Sequence, residues 1–93
     1  MAERMLKEYL LKKVKRMRGE ARKVRWEGRN FAPDWRVMIP EHHPFWLELK
    51  DTNKEPEIMQ AREHDHMRRC GEYVFWANST IGVDIIIGKM RYA

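Results

Sequence analysis

Three residues combine types and spacing that can do chemistry: Asp34, Glu48 and Lys50. Glu48 and Lys50 lie in FWLELKD, residues 45–51, a stretch that alternates like a strand. Phe45, Leu47 and Leu49 point one way, and Trp46, Glu48 and Lys50 the other. An earlier stretch, Trp35 to Ile39, alternates in the same manner, with Trp35, Val37 and Ile39 on one face. Laying the two apolar faces together predicts a hairpin that pairs Ile39 with Phe45 and Trp35 with Leu49. The same register sets Asp34 opposite Lys50 and Arg36 opposite Glu48, with directly opposed β-carbons about 5 Å apart. Asp34, Glu48 and Lys50 then converge at one end of one face. Two carboxylates so close repel unless a cation lies between them. Carboxylate oxygens suit Mg²⁺ or Mn²⁺, which keep waters and accept phosphate oxygens. The Leu49 main-chain carbonyl lies between the two side chains as a further oxygen donor, and Lys50 is positioned to orient a water. The plain alternative is a pair of surface salt bridges, Asp34–Lys50 and Arg36–Glu48.

The elements that must hold these residues follow from periodicity. Leu6, Leu10, Val14 and Met17 recur at helical spacing over residues 2–18, with Gly19 where a C-terminal cap belongs. Ala21–Trp26 reads as a first strand, 28–33 as a loop, Trp35–Ile39 as a second strand and Phe45–Lys50 as a third. Pro56 suits the first turn of a helix ending at Gly71. Tyr73–Ala77 reads as a fourth strand. Asn78 and Ser79 either cap a last helix or lead into a strand ending near Ile87. The order αβββαβ(α) predicts an α/β fold, a mixed sheet flanked by helices on both faces.

Composition sets the frame. Ninety-three residues make a single domain spanning residues 1–93, and 43% hydrophobic content with ten aromatics argues for a folded globule. No apolar run approaches the roughly 20 residues needed to span a bilayer, so no membrane partner is expected. Lys7, Lys12 and Lys13 interrupt any signal-peptide core, and the single Cys70 fits a reducing cytosol. A net charge of +5, much of it between Lys12 and Arg25, favours a polyanionic partner. Lys23 and Arg25 are the best candidates for phosphate contacts. Cys70 is expected in the core, His42 and His43 in solvent, Trp35 in the core and Trp46 under a helix.

Pro33–Asp34 followed by Glu48–Leu49–Lys50 resembles the PD-(D/E)XK nuclease signature. Gln60, His64, Arg68 and Gly71 fit Q-x3-H-x3-R-x2-G, YVFWANS follows as a strand, and Gly19 with Lys23 resembles G-x3-K. Together these resemble the VRR-NUC (virus-type replication–repair nuclease) family in its small stand-alone phage form, over roughly residues 3–84. The resemblance implies a restriction-endonuclease-like core and a Mg²⁺- or Mn²⁺-dependent DNA endonuclease, a phosphodiester hydrolase of DNA repair and recombination. In it Asp34, Glu48 and the Leu49 carbonyl hold metal, Lys50 positions water and Gln60 supports the site. His64 and Arg68, on the stripe of Gln60, either contact phosphate or brace the site, and Arg36 replaces an arginine that commonly follows Pro-Asp directly. The family's YVF…DS strand ending is NS here. The family also expects an acidic residue on the first helix. Glu3, on the apolar stripe, is preferred over Glu8, which shares the solvated face of Arg4, Lys12 and Lys15.

The isolated domains of this family resemble Holliday-junction resolvases, which nick two strands symmetrically, so a homodimer acting on a four-way DNA junction is expected. Ile81–Ile87 is either the dimer surface or monomer core. A phage-type protein would act in the cytoplasm of a bacterial host. Flap, nicked or linear DNA are alternative substrates, and a non-catalytic basic DNA-binding module is the competing class.

Overall fold

A computed structural model describes residues 1–92. The elements are α1 (Glu3–Arg16), β1 (Glu20–Lys23), β2 (Trp35–Met38), β3 (Phe45–Leu49), α2 (Ile58–Arg69), β4 (Val74–Ala77) and α3 (Thr80–Met90). The last segment is therefore a helix. Ser79 caps it by accepting a 3.0 Å hydrogen bond from the Gly82 N–H, which outweighs the strand preference of Ile85–Ile87. No helix among the described residues is long and apolar enough to cross a membrane.

Several boundaries differ from the periodic reading, for local reasons. Helix α1 stops at Arg16 because Arg18 turns left-handed at φ 62°. The Gly19 N–H bonds the Val14 carbonyl at 2.9 Å and the Arg18 N–H bonds Lys15 at 3.0 Å, a Schellman ending with arginine in the left-handed position. Gly19 is required for a different reason than the cap: a β-carbon there would collide with the Met38 carbonyl oxygen and the Ile39 backbone. Strand β1 ends at Lys23 rather than Trp26, and Trp26 packs against Trp46 with the ring centroids 4.7 Å apart and the planes tilted by 47°. Pro56 lies outside α2; Glu57 is the cap, in a capping box closed by Gln60.

The sheet runs β1-β2-β3-β4, antiparallel except for the parallel β3–β4 pair, which α2 bridges. Helices α1 and α3 cover one face. Leu6, Leu10 and Val14 pack with Val37, Phe45, Leu47 and Leu49, and with Val83, Ile86 and Ile87. Each such buried side chain contributes about 1.5–3 kcal/mol. Helix α2 covers the other face, where Met67 meets Trp46 and Val74. Trp35 and Trp46 are both buried, as expected. The Tyr9 hydroxyl donates to Asp84 at 2.7 Å and Lys13 pairs with Asp84 at 2.8 Å, joining α1 to α3.

Three single-residue expectations fail. Cys70 is exposed, just past the end of α2. His42 is buried, its Nδ1 2.8 Å from the Pro40 carbonyl oxygen, because Arg91 bridges back to it from the C-terminal end. His43 is half-buried between Tyr73 and Tyr92.

Candidate active site

The β2–β3 register decides the site. Trp35 pairs with Leu47, Arg36 with Trp46 and Val37 with Phe45. This lies two residues away from the pairing of Ile39 with Phe45 that the alternation suggests. A slip of two keeps every side chain on its face and changes only its partner. One step beyond the Trp35–Leu47 pair, Asp34 stands against Glu48. Neither the Asp34–Lys50 nor the Arg36–Glu48 salt bridge forms among the described residues; Asp34 instead meets Lys23 at 3.5 Å.

The backbone adds to this pair. The Lys50 N–H donates to Ala77 on β4 at 2.9 Å. The trans peptide therefore turns the Leu49 carbonyl the other way, toward β2. The residue opposite is Pro33, which has no N–H to give. By the same alternation Asp34 and Glu48 form a non-hydrogen-bonded pair, the kind whose side chains stand closest.

Electrostatics records the crowding. Burial pushes the Glu48 carboxyl up to about 7, the nearby Asp34 charge pushes the same way, and Lys50 opposes them only in part. Glu3 also adds to the rise, so α1 brings its first residue to this end of the sheet. Asp51 holds it there by accepting a bond from the Glu3 main-chain N–H, and Glu3 and Lys50 line one cleft. Glu3 is exposed rather than turned inward. Glu8, also exposed, takes no part in this cleft. Lys50 is half-buried and has no ion-pair partner among the described residues.

The other expected residues divide. Lys23 and Arg25 line a groove with Asp34. Arg36 is half-buried with its guanidinium 4.9 Å over the Trp46 ring, and one of its nitrogens and the Trp46 Nε1 lack partners. The Gln60 side-chain oxygen accepts from the Glu57 N–H at 3.0 Å, so it braces the start of α2. His64 is buried with an unpartnered Nε2, and burial, with the Arg68 charge behind it, holds its imidazole below the ordinary range. Arg68 donates to the Val74 carbonyl at 3.0 Å and to Asp65 at 2.7 Å. Asn78, where the family's aspartate would stand, donates to the Lys54 carbonyl at 2.8 Å.

Two residues at the site escaped the periodic reading of chemistry. Trp76 pairs with Glu48 across β3–β4 and is exposed, on the same strand face as buried Val74. Phe31 is exposed in the same groove as Asp34, and no sequence pattern marks it.

A solved structure described as a VRR_NUC domain superposes on this chain with a TM-score of 0.81. The two share 32% identity over 95% of this chain and 97% of that one. The chain belongs to the VRR-NUC family. No family model matches the sequence, and no curated protein does. The VRR-NUC assignment makes this a nuclease-type domain, and its four-stranded mixed sheet with helices on both faces is the matching fold.

The donor set fits a hard divalent cation. Asp34 and Glu48 would supply carboxylate oxygen and Leu49 its main-chain carbonyl, all of them hard oxygen donors. Burial, and after it the Asp34 charge, raise the Glu48 carboxyl, and a cation beside the pair would oppose both. Among the described residues no three His, Cys, Asp or Glu side chains cluster as a metal cage.

Proposed function

We propose that this VRR-NUC domain is a Mg²⁺- or Mn²⁺-dependent endonuclease that hydrolyses phosphodiester bonds in branched DNA, acting in the cytoplasm. The observation that carries the reading is the Asp34–Glu48 pair, opposed on one face with Glu48 pushed up to about 7 and Lys50 two residues along the same strand face. A site that merely bound DNA would gain from losing two carboxylates beside the phosphate.

Asp34, Glu48 and the Leu49 carbonyl would hold the cation. When bound, it neutralises charge on the scissile phosphate and lowers the pKa of a coordinated water. Lys50 contributes three N–H donors and a fixed positive charge. They orient the attacking water and stabilise the charge that grows on the phosphate oxygens as the water–phosphorus bond forms and the ester oxygen leaves. Glu3 lines the same cleft as Lys50 and adds negative charge beside Glu48. Gln60 keeps the start of α2 in place. Lys23 and Arg25 receive the phosphates on the Asp34 side.

A second reading concerns assembly. Ile81 and Ile85 remain 70% and 55% exposed on α3, while Val83 and Ile87 are buried. That split supports a homodimer through the outer face of α3, which would supply two sites for symmetric nicking of a four-way junction.

The test is cleavage of four-way junction, flap, nicked and linear duplex with and without Mg²⁺. Asp34→Ala and Glu48→Ala should each lower the rate at least roughly a thousandfold, since several kcal/mol of transition-state stabilisation goes with the cation. Junction binding in EDTA should stay equal or tighten. A variant that cuts at the wild-type rate would remove its residue from the site.

A further inference from the structure

The loop between β1 and β2 holds an aromatic ring where packing gives no reason for one. Phe31 is 44% exposed and its φ is 69°. A bulky residue rarely adopts that left-handed backbone, and such strain persists only where the surroundings enforce it. The enforcement is visible on both sides. The Val24 N–H bonds the Asp34 carbonyl at 2.7 Å, and the Trp26 Nε1 bonds the Pro33 carbonyl at 2.7 Å. Arg29 is fixed to Glu63 on α2. The loop is therefore pinned while its aromatic tip faces solvent.

Phe31 is also the shared wall of two grooves. One, of about 510 Å³, runs to Asp34 past Lys23 and Arg25. The other, of about 360 Å³, lies against α2 with Arg62 and His66. Basic residues on either side of an exposed ring match a nucleic-acid strand whose phosphates lie in the grooves and whose base lies on the ring. A base can reach the ring only where it has left its own stack. That condition holds at a branch point or an unpaired nucleotide, and not within continuous duplex.

We infer that Phe31 is a stacking post for an unstacked base at a discontinuity in the DNA, seating that discontinuity beside Asp34. This rests on the nuclease reading above and adds to it the feature of the substrate that is recognised.

The experiment uses the full chain in EDTA, with a four-way junction and a linear duplex of equal length. Each carries 2-aminopurine, at the branch or at the matching duplex position. Wild type should quench the branch fluorophore. Phe31→Asn keeps a residue that tolerates the left-handed backbone and removes the ring. It should lose the quench and lower the junction-to-duplex affinity ratio roughly tenfold, and Phe31→Trp should restore both. Phe31→Asn that keeps the quench and the ratio within about twofold overturns the proposal while wild-type cleavage leaves the nuclease reading standing. Loss of a wild-type dimer in Phe31→Asn by light scattering, with quench retained, would make the ring a contact between copies and also overturns it. A wild type that cuts none of the DNAs with Mg²⁺ overturns the nuclease reading, and this inference with it.

Discussion

Asp34 faces Glu48 across β2 and β3, one step beyond the Trp35–Leu47 pair, and burial, with the Asp34 charge adding to it, lifts the Glu48 carboxyl to about 7. Its unfolded-chain value is about 4.3. Between those values the native protein binds more protons than the unfolded chain, so metal-free stability falls as pH rises from about 4 to about 7. Glu48→Gln should remove most of that fall, and Mg²⁺ or Mn²⁺ should raise the wild-type melting temperature more at pH 8 than at pH 5. Thermal melts at both pH values, with EDTA and with metal, measure it. A flat wild-type profile would contradict the raised carboxyl.

Basic residues should separate by function. Arg25 is exposed and lines the Asp34 groove, whereas Arg36 lies half-buried on Trp46. Neutralising Arg25 should flatten the salt dependence of DNA binding by about one unit of slope. Arg36→Ala should leave the slope alone and lower stability, since it removes packing from Trp46. Binding titrations between low and moderate salt, beside denaturant melts, distinguish them.

Two of the isoleucines on α3 should give opposite outcomes. Ile87 is buried with Val83 and Ile86 in the core, and Ile85 is exposed. Ile87→Glu should unfold the domain, because burying an unpaired charge costs several kcal/mol. Ile85→Glu should fold normally and run as an 11.4 kDa monomer in light scattering. A wild type that is itself monomeric would remove the dimer.

At the α1–β1 corner the conformational demands are reversed from residue type. Arg18→Gly should stabilise by about 1 kcal/mol, because the left-handed position no longer carries a β-carbon. Gly19→Ala should destabilise by about 1–3 kcal/mol through its clash with Met38 and Ile39. Chemical denaturation of the two variants reads both signs.

Alternation made the faces legible and left the register open. Trp35, Val37, Phe45 and Leu47 share one face under either pairing, so the apolar pattern could not distinguish Ile39–Phe45 from Val37–Phe45. The turn settled it. The His42 N–H bonds the Ile39 carbonyl at 3.1 Å and Glu41 adopts φ 65°, which draws Ile39 out of the ladder. His42 is held there by Arg91, almost fifty residues away, a contact no local pattern announces. Asp34, Glu48 and Lys50 were legible because they sit on a strand or one residue beyond its end. Gln60 shared their motif yet spends its side chain on a helix cap, and Phe31, on a loop, had no period to betray it.

The order of the strands also bears on the path by which the chain folds. β1, β2 and β3 form a meander of neighbours in sequence, whereas β4 joins β3 only after the α2 crossover closes. Short-range pairings form before long-range ones. Asp34 and Glu48 therefore come together while both are still in water, where like charges 4–5 Å apart repel by only about 1 kcal/mol. Burial, the larger cause of the raised Glu48 carboxyl, and with it a stronger repulsion from Asp34, come only as the rest of the fold closes over Glu48. Interactions made after the transition state act on the unfolding rate. Glu48→Gln should accordingly slow unfolding and leave refolding nearly unchanged, so that the acidic pair proposed to hold the cation shortens the lifetime of the folded state without delaying its formation.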